Sequence, residues 1–440
     1  MPQQEIDLLI EPRWVIPVEP PGVTLEGHAI AVADGTIAAL LPVEEARRRY
    51  RPIQHVALPR HVLTPGLVNL HTHAAMALLR GIADDLPLMD WLKTRIWPAE
   101  AKHVSAPFVR DGTLLACAEM LKGGITCFSD MYFFPEAAAE AVRSIGMRAV
   151  LGMVVIEFPT AYAADAEDYL SKGLATRDRL RGDPLITFSM APHAPYTVSD
   201  RTFERIATLA AQLDLPVHIH LHETADEVGK ELASHGLRPL ERLRRLGLLG
   251  PGLIAVHAVH LDDSEIGLLA AHGCSVAHCP TSNMKLASGI APVARLMARR
   301  VRVGLGTDGA ASNNRLDLFQ EMRQASLLAK VASGDASVLD AHAALRMATL
   351  NGAEALGLEE KIGSIEPGKA ADLTAVRLDQ IETAPCFNPA SHLVYAAGRE
   401  HVSHVWVNGR PRVFDGRLHE CGDTGRLLDA AYLWQNKLSS

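Results

Sequence analysis

An alternation of strand-like and helix-like segments across residues 65–365 is the feature that most constrains the fold. Apolar runs such as Arg148–Val155 and Val217–His220 alternate with amphipathic stretches such as Asp200–Leu213. The strand–helix unit recurs about eight times over roughly 300 residues, as in a barrel of parallel strands surrounded by helices. The sequence therefore predicts an α/β protein built on a (β/α)8 TIM barrel.

Both ends of the chain have a different pattern, with short β-rich segments joined by tight turns. Asp34-Gly35 and Asn408-Gly409 are dipeptides typical of two-residue β-hairpin turns. These β-rich segments flank the alternating region on both sides. We expect residues 1–64 and 366–440 to form one small β-sandwich domain beside a barrel domain of residues 65–365.

The charge and hydropathy of the chain exclude several classes of partner. The 440 residues hold 43 Lys and Arg against 51 Asp and Glu, a formal net charge of −8, which gives no general electrostatic reason to bind nucleic acid or an anionic membrane. No apolar run reaches the length of about 18 residues that spans a membrane, and Met1–Ile10 lacks a secretory signal. Six cysteines without C-x-x-C pairs are typical of reduced thiols. We expect a cytoplasmic protein with neither a nucleic-acid nor a membrane partner.

Histidines directly follow two of the predicted strands. His71 and His73 are separated by one residue after an apolar run, so their side chains point to the same face of the strand. A second strand ends at His220, with His218 and His222 at alternate positions beside it. Imidazole nitrogens are good zinc ligands. We assign His71, His73 and His220 as metal ligands and expect His218 and His222 to pack or to support them.

Two further strand ends carry a histidine and a carboxylate. His257 ends an apolar strand, and Asp308 follows another and is bracketed by glycines. Polar residues at the carboxyl ends of barrel strands usually do chemistry. Three histidines and Asp308 as the fourth ligand suit one divalent metal ion per chain, with a position left for water. We expect Zn²⁺, although such a set also binds iron or manganese.

The same residues define a hydrolytic site. A divalent metal lowers the pKa of a bound water toward ~7. We expect Asp308 to take the water proton, Glu223 to donate a proton to a substrate nitrogen, and His257 to orient the hydroxide or stabilise developing charge. Glu223 lies three residues beyond His220, where a loop can bring it over the metal; a surface Glu without a role is the alternative.

These motifs resemble the amidohydrolase superfamily over nearly the whole chain, including residues 65–68 before the first histidines and 363–373 after the barrel. Members with two metals bridge them with a carboxylated Lys from a mid-barrel strand, whereas residues 187–193 contain no Lys. That resembles the mononuclear deaminase branch. Within it, residues 97–100 and 306–314 look most like the 5-methylthioadenosine/S-adenosylhomocysteine deaminases.

The resemblance implies a set of substrate contacts. Glu100 would accept hydrogen bonds from both ribose hydroxyls, His193 would contact the ribose or the purine, and Trp91 would offer a flat apolar surface. Without the resemblance, Glu100 is interpreted as a solvated surface residue and His193 as a buried one. Met153 stands where members that accept S-adenosylhomocysteine can use an arginine, and residues 154–159, apolar apart from Glu157, contain no Arg. We place Met153 against the substrate and expect a preference for 5′-methylthioadenosine.

The site and the resemblance together predict deamination at C6 of the adenine ring of 5′-methylthioadenosine, with S-adenosylhomocysteine and adenosine as further candidates. The products are the inosine analogue and ammonia. One alternative is a deaminase of a free base or a dechlorinase of a triazine on the same metal site, which has no need of Glu100. Another is a barrel that binds or assembles without catalysis. We expect a purine nucleoside as the small-molecule partner and a homo-oligomeric assembly.

Overall fold

The computed structural model of the chain describes residues 3–419 and 423–439. Its strands, in chain order, are β1 (Gln4–Val15), β2 (Leu25–Glu26), β3 (His28–Ala33), β4 (Thr36–Pro42), β5 (Tyr50–Pro65), β6 (Leu67–Thr72), β7 (Ile125–Asp130), β8 (Arg148–Val155), β9 (Ile186–Pro192), β10 (Val217–Leu221), β11 (Leu253–His257), β12 (Ser275–His278), β13 (Arg302–Leu305), β14 (Leu373–Arg377), β15 (Val402–Val407), β16 (Arg410–Phe414) and β17 (Arg417–Leu418).

Helices follow most of the strands. The α-helices are α1 (Val43–Arg49), α2 (Leu88–Trp91), α3 (Trp97–His103), α4 (Ala106–Lys122), α5 (Pro135–Ile145), α6 (Ala166–Arg179), α7 (Asp200–Leu213), α8 (Ala225–His235), α9 (Pro239–Arg245), α10 (Asp263–Ala271), α11 (Pro280–Lys285), α12 (Val293–Ala298), α13 (Leu318–Ser333), α14 (Ala341–Met347), α15 (Leu350–Ala355), α16 (Pro389–Tyr395) and α17 (Thr424–Ser439). Short 3₁₀ turns lie at Ala74–Leu79, Pro195–Thr197, Ile381–Thr383 and Arg399–His401, and a π turn at Leu92–Ile96. Among the described residues, no helix is long and apolar enough to cross a membrane.

Strands β6 to β13 form one sheet of eight strands in chain order, and each neighbouring pair is parallel. The first and last strands meet where the backbone N–H of Asp308 donates to the carbonyl of His71 at 3.0 Å. Beside that bond, the Asn69 side chain donates to Thr307 Oγ1 at 2.8 Å and accepts from the Thr307 backbone N–H at 2.9 Å. The predicted (β/α)8 barrel is confirmed.

The barrel strands are apolar throughout because both of their faces are covered. Every residue of β8 and of β11 is buried. Several of the helices between them begin at capping residues, as in the amphipathic α7, where the Ser199 hydroxyl accepts from the backbone N–H of Thr202. The residue after α7, Asp214, has a left-handed backbone conformation that ends the helix. The helix buries Phe203 and Ile206. The 3.6-residue spacing of its apolar side chains is what made this helix predictable.

The strands from both ends of the chain form a second sheet of nine strands. Its long members β1 and β5, of 12 and 16 residues, pair parallel at its centre. Side chains from distant parts of this sheet, such as Ile10, Leu58 and Trp406, share one apolar core. The sheet therefore encloses an apolar core, as the two sheets of a β-sandwich do. Its strands nevertheless form one continuous hydrogen-bonded sheet, because the long strands β1 and β5 pair at its centre.

Both hairpin turns predicted at the chain ends are present. Asp34 and Gly35 have φ of 50° and 73°, and Asn408 and Gly409 have φ of 48° and 70°. Positive φ at both central residues is the geometry of the tight turn that joins twisted antiparallel strands. The domain boundaries at 64/65 and 365/366 stay a prediction, although β5 ends at residue 65 and β14 begins at residue 373.

A buried ion pair joins the barrel to the second sheet. Arg148, at the start of β8, donates through Nε and Nη2 to the Asp372 carboxylate at 2.9 and 3.2 Å, and through Nη2 to Asn408 Oδ1 at 2.6 Å.

Among the cysteines, Cys117, Cys127, Cys274, Cys279 and Cys386 are free thiols. The prediction of reduced thiols also covers Cys421, which lies outside the described residues.

Candidate active site

Four histidines and one aspartate converge at the carboxyl ends of β6, β10, β11 and β13. His71, His73 and Asp308 have ligand atoms within 4.8 Å of one another, and so do His71, His220 and His257. Asp308 Oδ1 lies 3.3 Å from His71 Nε2 and 3.4 Å from His73 Nε2. The barrel thus brings together all four predicted metal ligands, in two groups that share His71, and adds His257 at the same spacing.

Hydrogen bonds at Nδ1 turn the other ring nitrogen of His73 and His220 toward this cluster. His73 Nδ1 lies 2.6 Å from the carbonyl of Met131, and His220 Nδ1 lies 2.7 Å from the carbonyl of His193. A carbonyl can only accept, so both Nδ1 atoms carry the proton. The lone pair is therefore left on Nε2, the atom that faces the cluster, which is how metal-binding histidines are usually held.

The remaining two histidines are held in the same way by side chains. His71 Nδ1 contacts His218 Nε2 at 3.0 Å, and His218 Nδ1 contacts Ser129 Oγ at 3.3 Å. His257 Nδ1 lies 2.8 Å from Asn283 Oδ1, an acceptor. His218 therefore supports a metal-facing histidine, as expected from the sequence, and Asn283 fixes the ring of His257.

The cluster fits a tetrahedral metal ion. His71 Nε2 is buried and has no hydrogen-bond partner, and burial lowers the pKa of His71 to about 4, so its ring is neutral, the form that binds metal. Ligand atoms about 2.1 Å from a tetrahedral zinc lie about 3.4 Å apart. The contacts of Asp308 Oδ1 with the rings of His71 and His73 match that spacing.

Asp308 is held on all sides. Its Oδ2 accepts from the hydroxyls of Ser282 and Ser312 at 2.6 and 2.8 Å, while its Oδ1 accepts from the backbone N–H of Gly309 at 2.7 Å. Burial favours the neutral carboxyl, but the close contact with His71 and the electrostatic influence of the neighbouring histidines outweigh it and hold the pKa of Asp308 well below its usual range. Asp308 is therefore an ionised carboxylate whose Oδ1 faces the cluster of candidate metal-binding histidines.

Glu223 lies in the loop after β10, and Glu227 holds that loop. The Glu227 carboxylate accepts from the backbone N–H groups of His222 and Glu223 at 2.9 and 2.8 Å. Glu223 itself lies 3.7 Å from His257 Nε2 and accepts a weak bond from the Ser288 hydroxyl at 3.4 Å. Burial raises the pKa of Glu223, so it keeps a proton more readily than an exposed carboxyl group does.

Backbone strain is concentrated at the same strand ends. His222, His257, Ala258 and Asp308 have φ of 56°, 71°, 50° and 59°, in the left-handed region that non-glycine residues rarely adopt. Each such residue costs on the order of 1–3 kcal/mol and persists only where the surrounding structure enforces it. Strain of this kind clusters at functional sites, and here it aims His257 and Asp308 at the cluster.

A cavity of about 320 Å³ opens above these residues. We call its polar base the floor, formed by His73, His220, Glu223, His257 and Asp308. We call its mostly apolar side the wall, formed by Trp91, Trp97, Glu100, Tyr132, Ile156 and Phe158. Among the described residues, neither Lys nor Arg lines this cavity. Glu100 is thus a carboxylate in an apolar wall, and burial raises its pKa to about 7, with the Tyr132 hydrogen bond acting in the opposite direction.

Three of the four substrate contacts predicted from the resemblance line the cavity, namely Trp91, Glu100 and His193. Met153 does not. Its side chain is buried on the outer side of β8, where it packs against Gly173 of α6. Because side chains alternate along a strand, it is Val154 that faces the cavity. The placement of Met153 against the substrate was wrong by one residue.

Several residues of the site were not predicted from the sequence. Ser282, Ser312 and Glu227 hold Asp308 and the Glu223 loop, and Tyr132 donates a hydrogen bond to Glu100 at 2.7 Å. Tyr132 follows the end of β7 by two residues, so the rule that polar residues at barrel strand ends do chemistry was the available signal. The two serines and Glu227 lie in loops and helices, where spacing gives no such signal.

Comparison with known proteins agrees with this geometry. The amidohydrolase family model matches residues 62–412. A 5-methylthioadenosine/S-adenosylhomocysteine deaminase of Saccharophagus degradans is 47% identical over 99% of this chain and 97% of its own. The crystal structure of an adenosine deaminase from Xanthomonas campestris with bound zinc has a TM-score of 0.98 and 51% identity, with 100% of both chains covered.

A more distant structure matches the fold as well. An atrazine chlorohydrolase from Arthrobacter aurescens, complexed with zinc, has a TM-score of 0.89 but 25% identity, over 97% of this chain and 99% of that one. Identity therefore falls by half between the deaminase and the chlorohydrolase while the fold is kept. The chain belongs to the amidohydrolase family and, within it, to the 5-methylthioadenosine/S-adenosylhomocysteine deaminases.

Proposed function

We propose that this protein is a hydrolytic deaminase that acts at C6 of the adenine ring of 5′-methylthioadenosine and releases ammonia. One observation carries the proposal: a single cavity joins a floor of histidines and Asp308 to a wall that contains Glu100 and, in the part of the chain that the structure describes, no Lys or Arg. The floor suits hydrolysis at a carbon that bears a nitrogen leaving group. The wall suits a nucleoside with an uncharged tail.

We propose that His71, His73, His220 and Asp308 hold one Zn²⁺ ion. When bound, such an ion lowers the pKa of a water toward ~7 and so supplies a hydroxide nucleophile near neutral pH. His257 lies at ligand distance as well, but its Nε2 also faces Glu223. We therefore propose that His257 orients the attacking oxygen nucleophile or stabilises the charge that develops during the attack.

The two carboxyl groups of the floor have opposite pKa shifts, which supports an acid and a base role. Burial raises the pKa of Glu223, which suits it to donate a proton to the ring nitrogen as C6 is attacked. The pKa of Asp308 is held low, so its carboxylate is ionised, and we propose that it accepts the water proton and passes it to the departing amine. Glu227 positions Glu223 through two backbone hydrogen bonds.

We propose that the wall selects the substrate. Glu100 accepts hydrogen bonds from the ribose hydroxyls, His193 contacts the nucleoside, and Trp91 packs against it. Burial lowers the pKa of His193 to about 3, so it is neutral. An apolar surface that includes Ile156 and Phe158 would receive the methylthio group, whereas the carboxylate of S-adenosylhomocysteine would be desolvated there without a cationic partner. We therefore propose a preference for 5′-methylthioadenosine.

The nucleoside is the partner that this cavity is suited to hold. A homo-oligomeric assembly and a cytoplasmic location stay predictions from the sequence. Size-exclusion chromatography with light scattering would test the first of them. A monomer at every concentration would contradict it.

Ammonia release from the zinc-loaded protein tests the proposed function. The substrates are 5′-methylthioadenosine, S-adenosylhomocysteine, adenosine, adenine and an aminotriazine, compared at equal concentration. Turnover led by 5′-methylthioadenosine supports the proposal. Turnover led by adenine or the aminotriazine, and unchanged in Glu100→Ala, would instead favour the free-base or triazine reaction on the same floor.

A further inference from the structure

Glu100 lies on a helix that contributes no fully buried residue to the core. It belongs to α3, which follows the π turn Leu92–Ile96 within the long connection between β6 and β7. Trp97 and Ala99 of α3 pack, partly buried, against the core, so packing sets the position of the helix only in part. The orientation of the Glu100 carboxylate relative to the floor therefore depends also on its own hydrogen bond.

The Tyr132 hydroxyl supplies such a contact. It donates to Glu100 Oε1 at 2.7 Å, and the Tyr132 side chain is 4% exposed. Tyr132 follows β7, whose last residue, Asp130, accepts from the backbone N–H of Ala74 next to His73. The same loop supplies the Met131 carbonyl that holds His73. Tyr132 thus ties the wall carboxylate to the strand end that also supports the floor.

The Tyr132 bond is important because no cation among the described residues offsets the charge of Glu100. Besides Tyr132, Tyr169 is a titratable group whose pKa is raised by the Glu100 charge. A hydrogen bond to a carboxylate favours its ionised form. The Tyr132 hydroxyl accordingly acts against burial, which raises the pKa of Glu100 to about 7.

We infer that Tyr132 is the positioning residue of the ribose-binding position: its hydroxyl takes one lone pair of Glu100 Oε1 and leaves the other oxygen of the carboxylate facing the cavity for the two ribose hydroxyls. This inference rests on the proposed function. Tyr132 acts through Glu100, so it governs the binding of substrates that carry a ribose diol. It takes no part in proton transfer at C6.

Michaelis kinetics of Tyr132→Phe test the inference, with 5′-methylthioadenosine compared with its 2′,3′-dideoxy analogue. Loss of a hydrogen bond to a charged group predicts a KM for 5′-methylthioadenosine that rises roughly tenfold. The expected kcat stays within about twofold, and the dideoxy analogue is unaffected, because no diol is present to bind. The KM–pH profile for 5′-methylthioadenosine should also move to higher pH, because a lost donor raises the pKa of Glu100.

Two further variants separate a positioning role from a structural one. Tyr162→Phe is the matched control, because the Tyr162 hydroxyl is buried without a hydrogen-bond partner and the residue does not line the cavity. In a Glu100→Gln background, the additional effect of Tyr132→Phe on KM should disappear. Thermal unfolding of each variant, followed by circular dichroism, checks that the fold is retained.

Each result decides the inference. It is overturned if Tyr132→Phe weakens both substrates equally, if it lowers kcat with KM unchanged, or if its effect persists in Glu100→Gln. If the wild-type protein turns over 5′-methylthioadenosine and the dideoxy analogue equally well, the proposed role of Glu100 fails and the inference fails with it. A wild-type preference for the diol that Tyr132→Phe leaves intact rejects the inference alone.

Discussion

The floor and the wall of the cavity are built in different ways. Floor residues such as His220 and His257 lie at the ends of barrel strands, and each is held by a hydrogen bond at Nδ1. Wall residues such as Trp97, Glu100 and Phe158 lie on the connections that follow β6 and β8. Phe158 is 43% exposed, and Trp97 meets it edge to face at 6.3 Å. The floor is polar and its side chains are held by hydrogen bonds, whereas the wall is mostly apolar and partly exposed.

This difference suggests how one fold serves different substrates. The hydrogen bonding of the barrel fixes the floor, and we propose that the floor determines which bond is hydrolysed. The connections that form the wall can vary without disturbing the barrel, and we propose that they determine what is bound. Substitutions in the floor should therefore remove the reaction, while substitutions in the wall should change the choice of substrate.

Asp308→Asn should have the largest effect. The amide cannot accept the water proton and is a weaker metal ligand, so we expect kcat to fall roughly 10⁴-fold or more, with reduced zinc content. Ammonia release and metal analysis measure the two losses. Asp335→Asn, which changes an exposed carboxylate remote from the cavity, is the control. An Asp308→Asn variant with more than a tenth of the wild-type rate would contradict the role of the floor.

Glu223→Gln should lower kcat by roughly 10³-fold with zinc content unchanged, because this variant loses the proton donor but no proposed ligand. Steady-state kinetics on the metal-loaded variant are the measurement. Asp226→Asn, on the exposed side of the same loop and helix and paired with Lys230, should leave kcat unchanged. Loss of zinc together with activity would show instead that Glu223 is part of the metal site.

Phe158→Arg should change the wall and spare the floor. A guanidinium at this exposed edge can pair with the carboxylate of S-adenosylhomocysteine. We expect the ratio of kcat/KM for S-adenosylhomocysteine to that for 5′-methylthioadenosine to rise roughly tenfold. Phe158→Leu, which keeps the edge apolar, is the control. An unchanged ratio would mean that the tail of the substrate does not reach Phe158.

The smallest expected effect is a pH dependence of binding. Burial raises the pKa of Glu100 to about 7, and the ribose hydroxyls require the ionised carboxylate as acceptor. If Glu100 binds the ribose as we propose, KM for 5′-methylthioadenosine should fall as pH rises through about 7, by roughly tenfold between about pH 6 and about pH 8, because the ionised form is populated above the pKa. The same profile in Glu100→Gln would contradict this assignment.

Sequence reasoning located the floor because the barrel imposes a simple rule on it. The floor residues His73, His220, His257 and Asp308, and the neighbouring His71, all lie at or just after the ends of apolar strands, and the carboxyl ends of parallel strands meet at one end of a barrel. The strand periodicity of two explains why His71 and His73 act together. The fold was predictable for the same reason, since strand and helix periods alternate clearly along the chain.

The wall was less predictable because it depends on connections and on the phase of a strand end. Met153 was predicted to face the cavity, but Val154 faces it. Because side chains alternate along a strand, a shift of one residue moves a side chain from the cavity side of the strand to the opposite side. The bond between Tyr132 and Glu100 joins residues 32 positions apart across an irregular connection, for which no periodic pattern exists. The resemblance to a family was enough to predict a role for Glu100. The hydrogen bond from Tyr132 that holds Glu100 became apparent only from the structure.

The separation of floor and wall is tested most directly by kcat/KM of the wild-type protein and of Glu100→Ala, each with 5′-methylthioadenosine and with its 2′,3′-dideoxy analogue. We predict that the variant loses roughly a hundredfold on 5′-methylthioadenosine. Its activity on the dideoxy analogue and its zinc content should be unchanged. Equal losses on both substrates, or loss of zinc, would contradict the account, because Glu100 would then serve the reaction as well as the choice of substrate.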